Sequence, residues 1–273
     1  MRRSWFVLIP LGLMLLLGGC EELFEFNLFQ ELDIVTLPDK GELDAMTADE
    51  ALDYLDVEFD SPAFIELLAG DPKAQSEIED YLQDLYNGDP GSQEGKRAVL
   101  LHASLRLKLC HGEELVNNLS SLVTGDADWD ALQDTTEAQG FFESSFGDLV
   151  PPEALASREA FDAMLTGFQE AQDAYTLFAA GIDGDPATSG DVPEEANLGD
   201  VAQKALFAVL IDAYLQPDAV YATEAEARDA LWLLAAGDGA PAPNAPTGGA
   251  WQDPFEPPGT LGTILDEAGI SFI

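Results

Sequence analysis

The chain is short of the residues that most enzymes work with. Its 273 residues include two histidines (His102 and His111), two cysteines (Cys20 and Cys110), and eleven lysines and arginines against 52 aspartates and glutamates. Two histidines are too few for most hydrolytic mechanisms, and the cysteines are not spaced as a metal-binding pair. There is no glycine-rich phosphate loop, no Gly-x-Ser-x-Gly elbow and no His-Glu-x-x-His helix. Paired carboxylates can cleave glycosides, but among 52 acids no pair stands out. The formal net charge of −41 repels nucleic acid and anionic headgroups, and it favours cationic partners and divalent ions. Runs rich in valine, isoleucine and threonine are also missing, and strand never alternates with helix. Apolar content is not missing: 47% of the residues are hydrophobic and 15 are phenylalanine, ample for a buried core and unlike a disordered acidic chain.

The N-terminus carries the sharpest signal. Met1, Arg2 and Arg3 precede an apolar stretch from Trp5 to Leu17, too short to span a bilayer stably and soon followed by acid. This is the pattern of a secretory signal. The residues that close it, Leu17, Gly18, Gly19 and Cys20, resemble the lipobox of bacterial lipoproteins, over about the first twenty residues only. That resemblance implies cleavage before Cys20, a thioether-linked diacylglycerol on its sulfur and an acyl chain on its new amine. Each buried methylene contributes roughly 0.8 kcal/mol, so one chain anchors marginally and two or three anchor for good. Glu21, in place of the aspartate that commonly retains lipoproteins at the inner membrane, implies an outer-membrane anchor facing the periplasm. Loss of Arg2 and Arg3 with the signal leaves nine basic residues against 52 acidic ones. With Cys20 acylated, Cys110 has no partner in the chain and reads as a small buried apolar residue.

The remainder reads as helices with clear punctuation. Three Gly-Asp-Pro triplets, beginning at Gly70, Gly88 and Gly184, combine a helix-ending glycine, an N-cap acceptor and a proline suited to the first helical position. Thr47 with Glu50, and Thr223 with Glu226, have capping-box spacing, and Ser61 with Pro62 opens a short helix ending at Gly70. Ala74, Ile78, Leu82, Leu85 and Tyr86 form the apolar face of a helix between the first two triplets. Residues 96–110 are apolar nearly all round and read as a central helix, with a strand competing at Leu105, Leu107 and Leu109; Gly112 stops them. Glu113 to Val123 continues as a helix. Leu132, Phe141, Phe142, Phe146 and Leu149 suggest one or two short helices. From Ser157 to Ala180, Phe161, Met164, Leu165, Phe168, Tyr175 and Phe178 make the longest stripe, with Gln169 and Gln172 off its centre and expected to tolerate alanine. Helices through Val201 to Leu215 and Ala227 to Leu234 follow.

These observations predict an all-α fold, an irregular array or bundle of antiparallel helix pairs, with a superhelical array as one form of it. No tetratricopeptide-type repeat falls in register. The expected organisation is a signal peptide over 1–19, a lipidated tether over 20–46 and a helical domain over 47–238. A linker rich in proline, glycine and alanine then covers 239–250, and an apolar C-terminal segment over 251–273 docks back on the body.

Three constellations are candidates for chemistry. His102, Arg106, Cys110 and His111 lie close in sequence, but the two histidines fall on opposite sides of a helix and no fourth ligand accompanies them. Lys96, Arg97, Arg106 and Lys108 concentrate four of the nine mature basic residues on the central helix, where neutralising nearby carboxylates is the favoured role and an anionic-ligand patch the other. Asp126, Asp128, Asp130, Asp134 and Glu137 occupy positions 1, 3, 5, 9 and 12 of an EF-hand-type loop, with Leu132 at the backbone-carbonyl position, which makes calcium the candidate metal. The match departs at Ala131, where such loops carry glycine, and at Gln133, and Asp183, Asp185, Asp191 and Glu194 make a poorer copy. The expected function is that of a non-catalytic binding or scaffolding protein of the bacterial envelope, attached to the membrane by its lipid, with an envelope protein partner and no nucleic acid. A calcium-binding module is one alternative. Another is the ligand-binding subunit of a solute-uptake system, which requires a pocket between the helices at 96–110 and 157–180.

Overall fold

Side-chain caps set where the helices begin. In the computed structural model, which describes residues 35–124, 146–182, 192–193, 196–216, 221–237 and 264, helix α1 (Lys40–Asp44) opens on a capping box. The Glu42 amide donates to Asp39 Oδ1 at 2.9 Å and the Asp39 amide donates to Glu42 Oε2 at 3.1 Å. Helix α2 (Ala48–Phe59) opens on the Thr47–Glu50 box, with Thr47 N donating to Glu50 Oε2 at 2.9 Å. Ser61 caps α3 (Pro62–Ala69), and Asp71 caps α4 (Pro72–Gly88) by accepting from Lys73 N and Ala74 N. Each of α3 and α4 carries its proline at the first helical position, where no amide partner is lost.

Ser92 caps α5 (Gln93–Leu109), which is continuous helix through Leu105, Leu107 and Leu109, so the competing strand is excluded there. Helix α6 (Gly112–Thr124) follows after a two-residue corner. The left-handed residue at this corner is His111, with φ of 60°, and Gly112 begins the next helix instead of merely ending the last. A 3-10 turn (Ala154–Ala156) leads into α7 (Arg158–Ala180), capped by Ser157. Then come α8 (Leu198–Leu215) and α9 (Glu224–Ala235), after which Gly237 takes a φ of 77°. At the start of α9, Thr223 accepts from Glu226 N, but the Glu226 carboxylate accepts from Ala222 N at 2.8 Å, so the expected box is displaced by one residue.

The described residues hold no strand, and the fold is all-helical. Residues 38–273 form one compact unit. Its centre is the pair α5 and α7, packed along one another; α2, α3 and α4 lie on α5, while α8, α9 and the 3-10 turn lie on α7. The helical body starts earlier than residue 47, because Leu43 of α1 is fully buried and α1 packs on α4. Of the other unit, residues 1–37, only 35–37 are described, without regular structure. Of the C-terminal segment only Ile264 is described, helical and buried.

The α7 stripe is core: Phe161, Met164, Leu165 and Phe168 are fully buried, and Tyr175 and Phe178 nearly so. Gln169 is not a neutral bystander. Its Oε1 accepts from Arg228 Nη2 of α9 at 2.5 Å and its Nε2 donates to Asp212 of α8 at 3.3 Å, so one amide ties three helices. Among the described residues Gln172 bonds within its own helix, its Nε2 donating to Thr176 Oγ1 at 3.2 Å.

Candidate ligand-binding cleft

Where α5 faces α2, α7 and the start of α8, the packing leaves a cleft of about 240 Å³. Spacings of three and four put Arg97, Leu100, Leu101, Ser104 and Lys108 on one side of α5, and these form its floor. Asp56 and Asp60, one turn apart at the end of α2, stand on one wall; Asp200, Val201 and Lys204, from the first turns of α8, stand on another. Tyr175 of α7 closes the interior, and Pro193, Ala196 and Asn197 flank it. Asn197 caps α8, its Oδ1 accepting from Gly199 N at 3.1 Å and Asp200 N at 3.3 Å. The cleft is smaller than the roughly 300–1,000 Å³ of drug-sized sites, and so suits a small solute.

The charges in this cleft are layered. Lys108, Lys204 and Arg97 have side chains only 13–14% exposed, whereas those of Asp60, Asp53 and Asp200 are 51–83% exposed. The cations therefore sit inside, with Glu113 (25% exposed) between the two lysines, and the aspartates stand at the rim. Lys108 Nζ lies 2.8 Å from Asp60 and 3.4 Å from Glu113; Lys204 Nζ lies 2.7 Å from Glu113 and 3.0 Å from Asp200. Each ammonium touches two carboxylates and keeps a third N–H. Burial pulls the Lys204 pKa down, but Glu113 and Asp200 outweigh it and hold the group above its ordinary value. Burial pushes the Asp56 carboxyl up against the opposing pull of Arg97. Tyr175 is 2% exposed and lines the cleft. Burial, then the charges of Asp200 and Glu113, push its pKa far above the usual tyrosine value.

The residues singled out from sequence are distributed differently. Cys20, the calcium candidates Asp126, Asp128, Asp130, Leu132, Asp134 and Glu137, and the weaker copy at Asp183, Asp185, Asp191 and Glu194 lie outside the described residues. Among the described residues no group of three or more His, Cys, Asp or Glu is arranged to hold a metal ion. His102 is buried, stacked on Tyr86 at 6.0 Å, with its Nε2 unpaired, while His111 lies at the α5–α6 corner, 3.6 Å from Glu114. Cys110 is a buried free thiol that donates to the Leu107 carbonyl, and burial pushes its pKa to about 12, so it remains protonated.

Three of the α5 cations, Arg97, Arg106 and Lys108, reach carboxylates. Arg97 pairs with Asp53, Arg106 with Glu79 at 2.9 Å and Glu170 at 3.3 Å, and Lys108 with the two acids named above. Tyr175, Lys204, Asp56 and Asp60 carry no sequence motif, and Tyr175 reads as core. With so few cations in the chain, asking where each one goes is the signal that leads to Lys204 and the cleft. No protein-family model, no characterised protein and no solved structure matches this chain. No helix among the described residues is long and apolar enough to cross a membrane.

Proposed function

We propose that this chain is a lipid-anchored binding protein of the bacterial cell envelope, acid-coated and without catalysis of its own, held at the outer membrane through Cys20. The observation that carries the anchor is the short apolar stretch ending in Leu17, Gly18, Gly19 and Cys20. Binding in place of chemistry is supported by the state of the reactive side chains: His102 is stacked and buried, and the Cys110 thiol is held protonated. The cleft lined by α5 and Tyr175 of α7 favours a second, narrower reading in which the bound partner is a small solute. Helical bodies present concave surfaces that suit either role. The anchor is tested by palmitate labelling in a bacterial host. The parent chain should take up label and partition with membranes, and Cys20→Ala should remain an unlabelled precursor. Label that persists in Cys20→Ala overturns the reading.

A further inference from the structure

Resting on the reading of this chain as a binding protein, we propose that the cleft holds a free α-amino acid with an apolar side chain. The carboxylate lies inward on Lys108, Lys204 and the Tyr175 hydroxyl, and the ammonium lies outward on the aspartates of α2.

Three observations select this chemistry. The first is the layering of charge: recessed ammonium groups, bridged by the equally recessed Glu113 and each with a spare N–H, lie beneath aspartates that are mostly in solvent. A bare anion would meet the cations only after passing a negative rim, on a protein whose net charge is already −41. A bare cation would be held by the rim aspartates, short of the recessed Lys108 and Lys204. A molecule whose ammonium and carboxylate share one carbon atom satisfies both layers at once, and its own neutrality removes the long-range penalty. The second is Tyr175, a hydroxyl on a side chain 2% exposed that lines the cavity. A carboxylate oxygen seated in the cleft would accept a hydrogen bond from this hydroxyl. The opening of α8 at Asn197 adds the positive end of an 18-residue helix on the same side. The third is the apolar remainder of the lining, Leu100, Leu101, Val201 and Pro193, which gives a hydrocarbon side chain a surface and would reject a second charge.

The experiment is isothermal titration of the full-length protein in detergent with L-leucine. Two probes each lack one charge of L-leucine: isocaproate has no ammonium, and isoamylamine has no carboxylate. L-leucine should bind saturably and each probe should bind at least about tenfold more weakly, as expected for loss of a charge-assisted contact. Tyr175→Phe keeps the ring and its packing, so it should weaken L-leucine about tenfold at an unchanged melting temperature. Lys204→Met should weaken it further. Absence of binding by L-leucine overturns the proposal, as does isocaproate binding as tightly as L-leucine, or an undiminished affinity in Tyr175→Phe. The anchor is judged separately. A chain that takes palmitate but not L-leucine overturns the cleft alone, and one that binds L-leucine without taking palmitate overturns the anchor alone.

Discussion

His102 lies on α5 with its ring against Tyr86, its Nε2 unpaired and the Arg106 guanidinium nearby. Burial, reinforced by that guanidinium, pulls its pKa down to about 4. The native protein therefore refuses a proton that the unfolded chain accepts near pH 6.5. Stability falls as pH drops from about 6.5 towards about 4, by roughly 3 kcal/mol over the whole window. The partly desolvated carboxyls of Asp56, Glu58 and Asp212 act with the opposite sign, since their raised pKa values let the native state take up protons first. Comparison of the parent with His102→Phe, which keeps a ring on Tyr86, cancels those common contributions. The variant should gain relative to the parent on going from pH 7 to pH 4.5 in urea unfolding. An equal stability difference at both pH values would show that His102 is not held neutral. The sequence places His102 and Arg106 one turn apart, but it cannot show that this turn is covered, because α5 is apolar on nearly every side and offers no polar face to orient it.

The crossing of α5 and α7 depends on one missing side chain. A Cβ at Gly167 would lie 2.3 Å from Cys110 Sγ, 2.7 Å from Cys110 Cβ and 3.2 Å from the Arg106 carbonyl oxygen, contacts that require the two central helices to separate. Helix propensity alone predicts that Gly167→Ala stabilises by about 1 kcal/mol. Overpacking at a buried crossing costs typically 1–3 kcal/mol, and the two clashing Cys110 atoms place this site at the upper end. Gly167→Ala should therefore lower stability in denaturant unfolding, and Cys110→Ala in the same chain should restore part of it by removing the sulfur. A stabilised Gly167→Ala protein would mean that the helices are not in such close contact. Helix existence was legible because caps and apolar spacing are local: Thr47 with Glu50, Ser61 with Pro62, and the stripe from Phe161 to Phe178 all fold as their spacing implies. Pairing was not. Nothing near Gly167 names Cys110, 57 positions away, and Gln169 reads as a free surface amide until Arg228 and Asp212 are seen on either side of it.

The same limit governs the cleft, whose charges come from α2, α5 and α8 and meet only when the bundle closes. Sequence gives the cluster Lys96, Arg97, Arg106 and Lys108 but not its spatial companions, because an ion pair between distant segments leaves no spacing to read. Charge balance over the whole chain, by contrast, is fully legible and has a consequence for stability. Acids outnumber lysines and arginines by 41, so most carboxylates have no cation of their own whatever the fold does. Salt weakens both the ion pairs and the repulsion among the remaining acids, and the two effects oppose each other. Exposed pairs such as Lys73 with Glu77 contribute little, and an exposed ion pair typically gives only about 0–1 kcal/mol to be lost. Repulsion acts among all the unmatched acids over about 10 Å at 0.1 M salt, so its relief dominates. The melting temperature should therefore rise between low salt and about 0.3 M sodium chloride, by about 2–4 °C for each kcal/mol gained by a chain of this size. Calcium chloride at matched ionic strength separates screening from site binding. An equal rise belongs to screening alone, whereas a larger one marks divalent ions held by carboxylates, as the loop from Asp126 to Glu137 would hold them. A melting temperature unmoved by sodium chloride would mean that the acids are far enough apart, or well enough compensated, that net charge does not limit this fold.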